Sequence, residues 1–134
     1  MEEAVSKGHN AAGGPVGETI DPATVKVRPR LRAAMAEAGF QPRDTGNGCM
    51  AWNQRAGDDT HVMIACGRGL DGDPERTEWT AGRYGDAGGF VEVTGLTLAE
   101  ALEAVAILPA PVRVDGSLAE GMYPSLDEAM SDLA

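Results

Sequence analysis

Two cysteines in 134 residues are too few for the disulfide framework of a small secreted scaffold. No apolar run approaches the roughly 20 residues that a membrane-spanning helix needs. The start, Met1-Glu2-Glu3-Ala4-Val5-Ser6-Lys7, lacks the basic and apolar regions of a secretory signal. A cytoplasmic protein with reduced thiols is therefore expected. Positive charge is also short, with 11 basic against 21 acidic side chains and a net charge of -10. That sign excludes a generally basic nucleic-acid binder. Lysine is rare, two against nine arginines, while Ala and Gly are abundant. This is the residue usage of a GC-rich bacterial or phage genome. Leu, Ile, Val and Phe make up about 18% of the chain, a low share for a globular protein. Much of the remaining apolar content is alanine, which buries little area, so one domain with a small core is expected.

Catalytic signatures are missing as well. There is no G-x-S-x-G, no Walker loop and no G-x-G-x-x-G leading into a helix. Cys49, His61 and Cys66 fall close together in a hairpin, but without the C-x-x-C or H-x-x-x-H spacing of a zinc site. Asp71-x-Asp73-x-Glu75 follows the start of a calcium loop. The required glycine at position 6 would be Arg76, and the required acid at position 12 would be Gly82. No metal and no cofactor are expected, and the sequence constrains architecture and partner rather than a reaction.

What is present is a set of elements with clear punctuation. Residues 1–21 hold Gly8, Gly13, Gly14, Pro15 and Gly17 and few large apolar groups, so this stretch reads as a disordered tail. Pro29 suits a first helical turn, and Leu31, Ala34, Met35 and Ala38 share one helical face. Gly39 is placed to close that helix, with Phe40 folding back on it. Strands are expected over Cys49–Arg55, Thr60–Gly67, Glu78–Tyr84 and Phe90–Thr94, separated by Gly- and Asp-rich turns. Thr97-Leu98-Ala99-Glu100 fits a capping box opening a helix to about Leu108, where Pro109 stops it. Val112-Arg113-Val114 reads as a short strand in an irregular stretch. Ser125 and Glu128 open a short last helix. The expected fold is α+β. A small antiparallel meander of about four strands is flanked by an N-terminal and a C-terminal helix, in one domain over residues 22–134.

Hairpin register decides the cysteines. If opposing residues sum to 115, Cys49 faces Cys66 across the hairpin. If they sum to 116, Met50, Trp52, Val62, Ile64 and Cys66 share a face and Cys49 points away. A one-residue slip exchanges the whole set. The second register gathers the large apolar groups and is expected, so no intramolecular disulfide forms. Trp52 and Trp79 are read as core rather than interface.

Charge is distributed unevenly. Residues 1–67 carry net -1 and residues 68–134 net -9. The exception is a basic cluster, Lys26, Arg28, Arg30 and Arg32, around the start of the first helix. It is a small footprint for nucleic acid, and internal balance against the acidic half is the simpler reading. Helix–strands–helix order invites comparison with double-stranded-RNA-binding domains. The helix that would have to meet phosphates, from Thr97 to Leu108, carries Glu100 and Glu103 and no cation. Direct nucleic-acid binding is therefore not expected. A negative field instead attracts basic protein surfaces. The expected function is a non-enzymatic binding module that presents Asp71, Asp73, Glu75, Glu78, Glu100 and Glu103 to a basic partner. Stoichiometric inhibitors of the immunity or phage anti-defence type have this size and charge. The alternatives are a small ligand-binding or enzymatic domain built on His61, Cys66 and Trp52, and a component of a larger assembly.

Overall fold

The computed structural model describes residues 25–46, 49–57 and 59–133. The expected disordered tail, with His9, lies outside them. Three helices and six strands follow one another as α1 (Pro29–Glu37), β1 (Gln41–Gly46), β2 (Cys49–Arg55), β3 (Thr60–Cys66), β4 (Trp79–Gly85) and β5 (Phe90–Leu96). Then come α2 (Leu98–Ile107), β6 (Glu120–Tyr123) and α3 (Leu126–Leu133). All six strands form a single sheet in sequence order.

The fold is α+β, but the four-stranded antiparallel meander is corrected to a six-stranded mixed sheet. β1 to β5 run antiparallel, while β6 pairs with β5 in parallel. A parallel neighbour needs a long crossover, and residues 97–119 with α2 supply it. Two strands escaped the sequence pattern for physical reasons. β1 contains Pro42, Arg43 and Asp44 and lacks apolar alternation, as an edge strand may. β6 is four residues long, below the length at which alternation carries a signal. The strand expected at Val112–Val114 is no more than an isolated bridge between Val112 and Leu118.

Local chemistry builds the helices as their sequences dictate. At the end of α1, Gly39 takes a left-handed φ of 91°. Its N–H reaches the Ala36 carbonyl, and the Phe40 N–H reaches that of Met35. This is the paired-bond C-terminal cap that glycine permits. In α2 the Thr97 hydroxyl accepts from the Glu100 N–H, and the Glu100 carboxylate accepts from the Thr97 N–H.

The hairpin register has opposing residues summing to 116, with Trp52 opposite Ile64 and Arg55 opposite His61. Trp52, Val62 and Ile64 accordingly enter the core with Trp79, Val91 and Val93, while Met50 and Cys66 pack at its margin. Leu31 and Met35 of α1, Ala101 and Ala104 of α2, and Ala129 and Leu133 of α3 join the same cluster. The helices thus line one face of the sheet. Both cysteines are free thiols. No helix among the described residues is long and apolar enough to cross a membrane.

Candidate functional site

The six acids singled out by charge separate into one that is ion-paired within the chain and five carried by a loop and a helix that are joined by a backbone hydrogen bond. Asp71 accepts from both the backbone N–H and the Nε of Arg28, at 3.2 and 3.1 Å. Asp73 makes a turn of its own, its carboxylate accepting from the Glu75 N–H at 2.9 Å. The Asp73 N–H donates to Glu78, and its carbonyl accepts from the buried Trp79 indole at 2.9 Å. The Pro74 carbonyl accepts from the Leu98 N–H at 3.0 Å, which fastens this loop to the first turn of α2. Glu100 and Glu103 lie on that helix, three residues apart and therefore on one side of it. Glu75, Glu100 and Glu103 are exposed. None of these five acids takes part in an ion pair among the described residues.

The basic cluster is partly consumed inside the chain. Arg28 holds Asp71. Arg32 donates to the carbonyls of Val25 and Val27 at 3.0 and 3.2 Å, tying α1 to the segment before it. Lys26 and Arg30 are exposed. Internal balance against the acidic half is thus realised at the Arg28–Asp71 pair.

His61, Cys66 and Trp52 are not brought together. Trp52 points into the helix-covered core and donates to the Leu70 carbonyl at 3.0 Å. His61, an odd number of residues from Ile64 along β3, faces the other side of the sheet. Cys66 accepts from the Arg68 N–H at 3.3 Å, and burial raises its thiol above the ordinary range, which disfavours the thiolate.

The sheet face away from the helices carries a polar cluster of which sequence reading singled out only His61. Arg55 grips Asp86 through both of its terminal nitrogens, and Asp86 lies 3.6 Å from His61 Nδ1. The His61 ring stacks on Tyr84 with centroids 5.6 Å apart. Tyr84 donates to Glu92 at 2.5 Å. Its ring lies back over Gly82, where an added Cβ would come within 2.6 Å of the ring carbon that bears the hydroxyl. On the helix-covered face, Tyr123 lies over Gly121 in the same way. The signal was Gly-x-Tyr in a strand: residues two apart share a face, and glycine leaves room for the ring. Beside this cluster an open concavity of about 1070 Å³ runs over Ala51, Met63, Ala65 and Thr80.

His61 is 1% exposed, and neither ring nitrogen has a hydrogen-bond partner among the described residues. Burial, then the charge of Arg43, lowers its pKa from the ordinary 6.5, with Asp86 opposing. The folded chain therefore resists a proton that the unfolded chain accepts. The neutral ring's contribution to stability is full above pH 6.5 and is lost as pH falls from 6.5 through the lowered folded value. Urea midpoints measured from pH 7.5 to 5 should fall for the wild type and stay flatter for His61→Phe. Equal slopes would remove this role from His61.

No protein-family model, curated protein or solved structure matches the chain.

Proposed function

We propose that the protein is a non-enzymatic module that binds a basic protein through the acidic surface around the start of α2. It would act as a stoichiometric inhibitor of a nucleic-acid-handling partner, in the immunity or phage anti-defence manner. The observation that carries this reading is the hydrogen bond from Leu98 to Pro74. It joins the loop bearing Asp73, Glu75 and Glu78 to the helix bearing Glu100 and Glu103, so acids separated in sequence act as one field. Asp71, paired with Arg28, anchors the loop rather than facing a partner. A field of this sign repels nucleic acid and speeds encounter with cationic protein surfaces.

The test uses a double variant, Glu75→Lys with Glu103→Lys, because neither side chain makes a described hydrogen bond and the fold should survive. The partner is first captured from the native host at two salt concentrations and identified by mass spectrometry. Its association rate with the double variant should drop about tenfold or more at low salt, with a smaller drop at high salt. An unchanged rate, or a captured partner that is itself acidic, would remove this surface from the function.

A further inference from the structure

The six-stranded sheet has two edges, and they are built differently. The β1 edge carries Pro42 and a register shift between Asp44 and Gly46. Proline, charge and irregularity are the usual means of blunting an edge against further pairing. The β6 edge has neither proline nor a register shift, and its one charged residue is Glu120. Glu120, Gly121, Met122 and Tyr123 pair with β5 in unbroken register, and no described strand lies beyond.

Exposed apolar side chains fall in the part of the chain that surrounds this strand. All six exposed large hydrophobics among the described residues fall between Ile107 and Met130. Val112 and Leu118 face each other across the bridge in the loop that leads into β6. Val114 is 87% exposed at the tip of that loop, and Met122, within β6, is 63% exposed. Single exposed apolar residues are ordinary, but four of these, Val112, Val114, Leu118 and Met122, lie in β6 and the loop that leads into it.

Charge selects the occupant. Between Ile107 and Leu133 stand Asp115, Glu120, Asp127, Glu128 and Asp132 against Arg113 alone, and Arg113 is already bound to Asp132. A second copy of this chain would bring the same acids against them. We propose that the β6 edge, with Val112, Leu118 and Met122 beside it, takes up an extended basic segment of a partner protein as a seventh strand. Backbone hydrogen bonds to β6 would supply the pairing, and alternate apolar side chains of the segment would cover Met122 and Leu118. The inference takes the sign of the partner's charge from these acids and rests on the proposed function only in assigning the segment to the same basic partner.

The full chain, labelled with ¹⁵N, is titrated at low salt with a peptide of about six residues alternating Lys and Val, a typical strand length. Three control peptides are used: one with a central Pro at unchanged charge, one with the Lys order scrambled, and one alternating Glu and Val. The alternating cationic peptide should shift the amides of Glu120–Tyr123, and the Pro peptide should bind at least tenfold more weakly. Met122→Lys should weaken binding without changing the melting temperature, and Leu118→Asp is the second variant should that one misfold. Equal binding of the Pro peptide, with shifts confined to residues 73–78 and 98–103, would overturn strand addition while leaving the acidic-surface reading intact. Preference for the Glu–Val peptide at β6 would keep the edge and refute the basic partner. Amides of β6 that become protected on raising the protein concentration alone would identify a second copy as the occupant and overturn the proposal. No binding of any peptide up to millimolar concentration would overturn it too.

Discussion

Replacing Trp79 with alanine should cost about 3–5 kcal/mol, the usual range for truncating a fully buried tryptophan. Trp79 is fully buried at the start of β4 and belongs to the one core that the helices cover. That core is small, and domains of this kind hold only about 5–15 kcal/mol in total. The alanine variant should therefore sit near the edge of unfolding at room temperature. Its effect also reaches the acidic loop, because the Trp79 indole donates to the Asp73 carbonyl. Trp79→Phe separates the two contributions. It keeps most of the apolar volume and loses the hydrogen bond, so about 1–3 kcal/mol is expected. Urea unfolding followed by the fluorescence of the remaining Trp52 measures both. If the alanine variant lies within about 1 kcal/mol of wild type, Trp79 is not the residue that holds β4 to the core.

How far the sequence reveals this molecule depends on where one interaction decides the outcome. The β2–β3 register was legible because slipping by one residue would send Trp52, Val62 and Ile64 to the wrong face together. The capping box at Thr97 and the glycine end of α1 were legible because each is a local rule with few alternatives. β1 was hidden by Pro42, which argues against a strand until the strand is known to be an edge. β6 was hidden because a parallel partner is set by the long crossover from β5, and nothing local announces it.

The candidate site divides in the same way. Excess negative charge after residue 67 was plain, and Asp71 was counted with the other acids. Its pairing with Arg28, 43 residues away, depends on tertiary placement. The Arg55–Asp86–His61 cluster joins the two strand-connecting turns at one end of the sheet, after β2 and after β4, and no spacing rule relates them. His61 also lies in a strand whose first five residues are all buried, so alternation could not say which face it took.

Arg83 was equally invisible to sequence reading, and its removal should rank second in cost. It sits on β4 between Val62 and Val91, on the side of the sheet that faces the helices. Its Nε donates to the Thr60 hydroxyl at 3.1 Å and its Nη1 to the Leu108 carbonyl at 2.8 Å. Leu108 caps the C-terminus of α2, and that helix has no basic residue in its last turn. The guanidinium therefore brings from the sheet the cation that the helix dipole favours there. Thr60 and Leu108 are both buried, so Arg83→Ala leaves two polar groups short of a partner as well as a gap. A loss of about 2–4 kcal/mol is expected on the scale of buried groups left unpaired. Arg83→Met retains much of the apolar stem and should recover only the packing share. Arg83→Lys keeps the charge but not the fork, and should fall between them. Should Arg83→Met unfold at the wild-type urea midpoint, the hydrogen bonds hold nothing and the stem alone fills the space. The expected ordering instead makes Arg83 the tie among β3, β4 and α2, the helix whose other end presents Glu100 and Glu103.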